Sequence, residues 1–66
     1  MAENRKIKSA RALYGFSQED LAKAVGVSRQ TIASIEKGNY NPSLNLCKAI
    51  CKELNKTLDE LFGEEQ

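Results

Sequence analysis

Arg29 and Gln30 are the side chains of this sequence whose types and spacing most clearly suggest a chemical task. They follow Ser28 at the predicted start of a short helix, on the side away from the apolar residues Ile32 and Ile35. An arginine there can donate two parallel hydrogen bonds to guanine O6 and N7, and a glutamine can pair with the N6/N7 edge of adenine. The pattern predicts a helix that contacts base edges in the major groove of DNA, although the same polar pair would also suit a solvated helix face.

Other polar residues around this helix are candidates for the same contact. Ser34 lies one helical turn beyond Gln30, and Ser28 and Thr31 could contact a base or a thymine methyl group less selectively. Phosphate contacts should flank the helix, at the start of the preceding helix and in the segment that follows. These candidates are Gln18, Lys37, Asn39, Tyr40, Asn41 and Ser43. Tyr40 could instead be a partly buried packing residue.

Two short helices joined by a tight turn account for the spacing of residues 17–37. Ser17 is a candidate N-cap, and Asp20, three residues later, completes an approximate capping box. Gly26 is placed to adopt a positive φ at the end of the first of these helices, and Ser28 caps the second. The segment therefore predicts a helix-turn-helix.

The residues of this segment resemble the helix-turn-helix of the phage-repressor family, also called the xenobiotic-response-element (XRE) family. The resemblance is carried by Ser17-Gln18-Glu19, Leu21-Ala22, Val25-Gly26-Val27-Ser28, Arg29-Gln30-Thr31-Ile32, Ile35-Glu36, Gly38 and Asn41-Pro42-Ser43. Matching residues outside the segment are Arg11, Leu54, Leu58, Leu61 and Phe62, so that the resemblance covers nearly the whole chain. It implies a sequence-specific DNA-binding regulator, most similar to the very small stand-alone dimeric repressors of bacteria.

The rest of the chain also has the spacing of helices. A first helix is predicted over residues 4–14, a fourth over 44–54 and a short fifth, opened by a capping box, over 57–62. Asn55 is suited to the position that follows the fourth helix. Together these elements predict an all-α, compact five-helix bundle in a single domain spanning residues 1–66. The predicted core consists of Ile7, Ala10, Phe16, Leu21, Ala22, Val25, Val27, Ile32, Ile35, Leu44, Cys47, Ile50, Leu54, Leu58 and Leu61.

Arg11 shares one face of the first helix with Ile7, Ala10 and Tyr14. An unpaired charge on such an apolar face would be strongly unfavourable, so Arg11 needs a carboxylate partner. Glu36 is the candidate, and the resemblance implies the same pair, because family members join an arginine and a glutamate at the matching positions. We therefore expect a structural ion pair between Arg11 and Glu36 in preference to a phosphate contact by Arg11.

The net charge of +1 is divided unevenly along the chain. Residues 1–57 hold all ten lysines and arginines and five acids, whereas the last nine residues hold four acids and no base. A basic segment followed by an acidic C-terminal segment is typical of a domain that binds the DNA backbone through its basic part, although scattered charges would also keep a small domain soluble.

Since the chain has no long apolar run and no signal pattern, we expect a soluble cytoplasmic protein without a membrane partner.

Cys47 and Cys51 lie four residues apart in the predicted fourth helix of a chain that has no histidine. They cannot complete a tetrahedral zinc site, and adjacent helical turns separate the two sulfurs poorly for a disulfide. We expect both cysteines to be buried core residues, since a redox role would need an exposed thiolate.

Without histidine, clustered carboxylates or a glycine-rich phosphate loop, the sequence predicts no enzyme and no cofactor, metal or small-molecule ligand.

A second copy of the chain is the expected protein partner, because one such domain offers few base contacts. Two copies related by a two-fold axis would bind two half-sites of a near-palindromic operator. The expected dimerisation region is residues 54–62, and the candidate contacts are Leu58, Leu61, Phe62 and Leu46. Phe62 could instead cover the core of a single domain.

Three functions fit these patterns. The first is a homodimeric transcriptional regulator, most simply a repressor. The second is the antitoxin of a toxin–antitoxin pair, which would also need a partner-binding extension for which this sequence has little spare length. The third is a protein-interaction module that has kept the fold without DNA binding, which would show no salt-dependent binding to duplexes.

Overall fold

Five α-helices form the fold in the computed structural model, which describes residues 3–63. The helices are α1 (Arg5–Tyr14), α2 (Gln18–Val25), α3 (Arg29–Lys37), α4 (Leu44–Glu53) and α5 (Leu58–Phe62). No strand occurs among the described residues, so the predicted all-α architecture is confirmed. Within the same range, no helix is long and apolar enough to cross a membrane.

Side-chain caps determine where the helices begin. The Ser17 hydroxyl accepts the backbone N–H of Asp20 at 3.0 Å, and the Asp20 carboxylate accepts the backbone N–H of Ser17 at 3.0 Å. Thr57 and Glu60 form a second capping box at the start of α5. Asn55 has a φ of 53°, the left-handed conformation expected after α4. Both capping boxes satisfy N–H groups that have no partner inside their helices, as the sequence predicts.

One apolar core joins all five helices. Its largest fully buried side chains are Ile7, Leu21, Ile32, Ile50 and Leu54. The same cluster contains Ala10, Ala22, Ile35, Cys51 and Leu61, and the partly buried Phe16, Val25, Val27, Leu46, Leu58 and Phe62 pack against it. The α-helical spacing of the sequence therefore identified most of the core.

Leu44 was predicted in the core, but 60% of its surface is exposed, so that prediction is wrong. It shares the face of Cys47 and Cys51 by helical spacing, yet those two residues are buried. At the first residue of α4, this face therefore lies outside the buried core. Tyr14, which is not part of the predicted core, is 49% exposed, and its ring stacks on Phe16 with centroids 6.1 Å apart.

Asn4 connects the start of α1 to α3 and α5 through hydrogen bonds. Its backbone N–H donates to the carbonyl oxygen of Glu36 at 2.7 Å, and its side-chain Nδ2 donates to the carbonyl oxygen of Leu61 at 2.8 Å. Its Oδ1 accepts the backbone N–H of Ile7 at 3.1 Å and so caps α1. These bonds fix α1 against the end of α3 and against α5.

Candidate nucleic-acid interface

A tight turn sets the angle between α2 and α3. Gly26 ends α2 with φ 79° and ψ 31°, a left-handed conformation that strains any residue with a Cβ. The backbone N–H of Val27 donates to the carbonyl oxygen of Ala22 at 3.0 Å, and Ser28 caps α3 by accepting the N–H of Thr31. The chain therefore leaves α2 and enters α3 within three residues, as the helix-turn-helix pattern predicts.

The first turn of α3 presents its longest polar side chains to solvent. Arg29 and Gln30 are exposed, whereas Ile32 and Ile35 are 1% and 3% exposed on the opposite side of the helix. Ser34, one turn beyond Gln30, is partly buried. This amphipathic arrangement gives α3 one face for the core and one face for a ligand in solution.

The two hydroxyl groups at the start of α3 are already bonded to each other. The Oγ of Ser28 lies 3.0 Å from the Oγ1 of Thr31, and it also accepts the backbone N–H of Thr31 at 3.2 Å. Thr31 is partly buried as well. Both residues are placed at the exposed end of the helix, with less hydrogen-bonding capacity available for a ligand than Arg29 and Gln30 have.

The predicted ion pair between Arg11 and Glu36 is present and bidentate. Arg11 donates from Nε to Oε2 at 2.8 Å and from Nη2 to Oε1 at 3.1 Å, and its Nη1 donates to the carbonyl oxygen of Phe16 at 3.0 Å. The side chains of Arg11 and Glu36 are 13% and 8% exposed. In residues 3–63, every buried side-chain nitrogen and oxygen has a hydrogen-bond partner. The pair therefore joins α1 to α3 without leaving an unsatisfied charge.

Gln18 has a structural environment that the sequence did not reveal. Its Nε2 donates to Glu36 Oε1 at 3.1 Å, and its Oε1 accepts from Nη1 of Arg29 at 3.3 Å. A continuous row of hydrogen bonds thus runs from Arg11 through Glu36 and Gln18 to Arg29. The sequence offered no direct signal for it, because the bond to Glu36 depends on how the start of α2 approaches α3.

The candidate phosphate contacts after α3 lie on one exposed segment. Lys37 ends the helix, Asn39, Tyr40 and Asn41 form the loop, and Ser43 caps α4 by accepting the backbone N–H of Leu46 at 3.2 Å. All of these residues except Leu46 are exposed, Tyr40 by 44%. The chain therefore offers amide, hydroxyl and ammonium donors directly beyond the C-terminal end of α3.

The candidate dimer contacts divide into two groups. Leu46, Leu58 and Phe62 are partly buried and retain exposed apolar surface. Leu61 is only 2% exposed, so its assignment to a dimer interface is wrong. Leu61 lies in the core of its own domain, where the predicted core also placed it.

Cys47 and Cys51 are buried free thiols, as expected. Burial raises the pKa of both thiols, and the proximity of Cys47 raises that of Cys51 further, which lowers their thiolate content. The described part of the chain contains no group of three histidine, cysteine or acidic residues that could hold a metal ion. The structure therefore places these cysteines in the packing of α4.

Comparison with known proteins connects this geometry to a family. Residues 7–61 match the helix-turn-helix family model. The uncharacterized HTH-type transcriptional regulator YgzD of Bacillus subtilis is 49% identical over 61 residues, which cover 92% of each protein. The immunity repressor protein of Bacillus phage phi105 is 34% identical over 65 residues, which cover 98% of this chain and 45% of that repressor.

Two solved structures share the fold. The restriction-modification controller protein C.AhdI from Aeromonas hydrophila has a TM-score of 0.82 and 30% identity, with 89% of each chain covered. The N-terminal DNA binding domain of SinR from Bacillus subtilis has a TM-score of 0.83 and 28% identity, with 96% of this chain and 93% of that chain covered. These matches are to regulators and not to enzymes. The chain belongs to the XRE-type helix-turn-helix family of transcriptional regulators, which bind double-stranded DNA.

Proposed function

We propose that this regulator is a cytoplasmic repressor that binds a near-palindromic operator as a homodimer, with α3 of each copy in the major groove. The observation that supports it most is the first turn of α3, where Arg29 and Gln30 are exposed while Ile32 and Ile35 anchor the helix. A helix held in this way presents its N-terminal side chains to base edges. Similarity to a phage immunity repressor supports repression as the outcome of binding.

Arg29 and Gln30 are the proposed primary base contacts, to guanine and adenine respectively. Ser34 would contact the same groove one turn later, and Ser28 and Thr31 would add less selective contacts because their hydroxyls bond each other. These assignments predict base preference at two adjacent positions of each half-site and weaker preference around them.

Phosphate contacts would come from both sides of α3. Lys37, Asn39, Tyr40, Asn41 and Ser43 lie on the exposed segment after it. Gln18 lies at the start of α2, where its side-chain amide has a second N–H available besides the one donated to Glu36. Contacts of this kind position the protein on the duplex and add affinity without selecting a sequence.

A second copy of the chain would supply the other half-site. Leu46, Leu58 and Phe62 keep apolar surface exposed on α4 and α5, and burying it against the same surface of another copy would form an isologous interface. The two recognition helices would then lie about one turn of duplex apart, roughly 34 Å. This spacing is what makes the expected operator near-palindromic.

Selection of bound duplexes from a random pool tests base contact directly. We expect Arg29→Ala and Gln30→Ala each to cost about 1–3 kcal/mol on the selected site and to relax preference at one base position. Lys52→Ala, which removes an exposed charge near the end of α4, is the matched control and should leave base preference unchanged. Equal losses on selected and random DNA for Arg29→Ala would reassign that side chain to phosphate.

Sedimentation of the full chain, alone and on its selected duplex, tests the dimer. Phe62→Asp should place a charge in the interface, dissociate the dimer and reduce binding to the weak, strongly salt-dependent binding of one domain. Ala24→Asp is the control, because it adds the same charge at an exposed position of α2, outside the helices α4 and α5 that supply the proposed interface. A native chain that stays monomeric on its best duplex and protects one half-site would contradict the dimer without contradicting DNA binding.

A further inference from the structure

Asn4 supplies hydrogen-bond donors to the C-terminal ends of two helices. Its backbone N–H donates to the carbonyl oxygen of Glu36 in the last turn of α3 at 2.7 Å, and its side-chain Nδ2 donates to that of Leu61 in α5 at 2.8 Å. Both carbonyls belong to the last four residues of their helices, where no donor is available within the helix itself. Asn4 therefore links the helix proposed to enter the major groove with the helix proposed to form the dimer.

The contact to Leu61 matters because α5 is too short to hold its own position. It has five residues, whereas an isolated helix shorter than about 12–15 residues is marginal in water. Leu58 and Phe62 of this helix keep apolar surface exposed for a second copy. The Leu61 carbonyl belongs to the planar peptide group that joins Leu61 to Phe62, so the bond from Asn4 fixes the backbone from which Phe62 extends.

The residue that follows α5 is bonded to the same end of α1. The backbone N–H of Gly63 donates to the carbonyl oxygen of Asp59 at 3.0 Å, and a Cβ at Gly63 would collide with that oxygen. The Gly63 carbonyl oxygen in turn accepts from Nζ of Lys6 at 3.3 Å. Side chains at the start of α1 thus bond two carbonyl oxygens at the C-terminal end of α5, those of Leu61 and Gly63.

We infer that the start of α1 determines operator spacing: Asn4, supported by Lys6, is a positioning residue that holds α5 against α3 and so sets the distance from the two-fold axis to the helix in the groove. The inference rests on the proposed dimer. Each base pair inserted between two half-sites moves them about 3.4 Å apart and rotates one against the other by roughly 35°. A dimer with a fixed α5 therefore selects one spacing, whereas a dimer with a mobile α5 accepts several.

Two substitutions of Asn4 separate this contact from helix capping. The Asn4 Oδ1 also accepts the backbone N–H of Ile7 at 3.1 Å and so caps α1. Asn4→Asp and Asn4→Ser both keep an oxygen that can cap, but aspartate has no hydrogen to donate to Leu61 and serine is too short to make both contacts. Lys8→Met, at an exposed position of α1, is the control, because it changes the net charge by the same amount as Asn4→Asp. Thermal unfolding first confirms that each variant is folded at the assay temperature.

Binding is then measured on the selected operator, on duplexes with one base pair inserted or removed between the half-sites, and on a single half-site. In both Asn4 variants, the ratio of affinities for the selected and the altered spacing should fall by about threefold or more, as expected for the loss of one hydrogen bond. Binding to the single half-site, and all binding by Lys8→Met, should match the native chain. A role in folding alone would weaken binding to every duplex alike.

Two results would overturn the inference alone: a spacing preference that both Asn4 variants retain, or an equal loss of affinity on the single half-site. A native chain that binds every spacing equally would contradict the proposed dimer and the inference with it. Lys6→Met removes the bond to Gly63 and should change spacing preference in the same direction as the Asn4 variants. It decides the question where an Asn4 variant does not fold, and a Lys6→Met that matches Lys8→Met would then overturn the inference.

Hydrogen exchange of the free protein gives a readout that does not depend on DNA. In Asn4→Asp, Asn4→Ser and Lys6→Met, the backbone N–H of Gly63 should exchange about threefold faster or more, because the end of α5 opens more often. The backbone N–H of Ile7 should keep its protection, since the cap of α1 remains. Equal exchange of the Gly63 N–H in the native chain and in these variants would overturn the inference.

Discussion

Two regions of this domain share one apolar core but differ in the polar contacts between their side chains. In the helix-turn-helix, polar side chains bond one another, as Gln18 does with Glu36 and Arg29. From α4 to α5, including the residue that follows α4, the buried side chains are apolar groups and thiols. They are Cys47, Ile50, Cys51, Leu54 and Leu61. Polar contacts determine the orientation of side chains in the first region, whereas close packing of apolar groups determines the position of whole helices in the second.

The difference predicts how each region responds to substitution. A hydrogen bond to a buried charge is directional, and removing one partner leaves the other unsatisfied. A change in the helix-turn-helix should therefore alter both stability and the candidate DNA contacts. Apolar packing depends on volume and has no such direction, so a change within the core of α4 should alter stability alone.

The largest expected effect is in the polar region. Arg11→Met should destabilise the fold by about 3–5 kcal/mol, because it leaves Glu36 buried without its cation. Arg11→Met/Glu36→Leu should recover much of that loss, since no charge then remains in the site. Urea unfolding of both variants measures the difference. If Arg11→Met is about as stable as the native chain, the ion pair does not stabilise the fold.

In α4, two substitutions on one helix compare a buried side chain with an exposed one. Ile50 is fully buried, so Ile50→Ala should cost about 2–5 kcal/mol through the cavity it leaves. Leu44→Ala removes a side chain that is 60% exposed and should change stability by only about 0.5 kcal/mol. Thermal and urea unfolding measure both. Comparable losses would mean that the first turn of α4 is covered in solution, for instance by a second copy.

The helix-turn-helix could be predicted closely because its determinants are local. Ser17 and Asp20 cap α2, Gly26 adopts its positive φ, and Ser28 caps α3, each within a few residues of the group it contacts. Helical spacing then placed Arg29 on the outer face. Signals that act over three or four residues are visible in a sequence without knowledge of the fold.

The errors share one physical origin. Spacing along a helix assigns Leu44 to the same face as Cys51, but it does not show where the covering helices end. The same limit added Leu61, which the predicted core correctly included, to the candidate dimer contacts, although it is only 2% exposed within its own domain. The bond from Gln18 to Glu36 spans 18 positions and depends on packing between helices. Such contacts follow from the assembled fold and have no local sequence signature.

Helix caps should give a smaller effect, similar in the two regions. Ser17→Ala and Thr57→Ala should each destabilise the domain by about 0.5–2 kcal/mol, because each exposes N–H groups that the cap had satisfied. Hydrogen exchange should locate the first loss in α2 and the second in α5. Ser9→Ala is the control, since Ser9 is exposed within α1 and caps no helix. If Ser9→Ala and Ser17→Ala destabilise the domain equally, loss of the capping box does not explain the effect of Ser17→Ala.

The smallest expected effect is an acid-dependent one at the same caps. The backbone N–H of Ser17, with further contributions from its hydroxyl and from Lys23, lowers the pKa of Asp20 below its ordinary value of 3.8. The unfolded chain therefore binds this proton more readily, so the stabilisation is complete above that ordinary value and is lost as the pH falls through the folded pKa. Asp20→Asn should thus show a shallower decline of the unfolding temperature with acidification than the native chain. Glu53→Gln, at the exposed end of α4, is the matched control, and parallel declines in the native chain and Asp20→Asn would show that the capping carboxylate contributes no acid dependence.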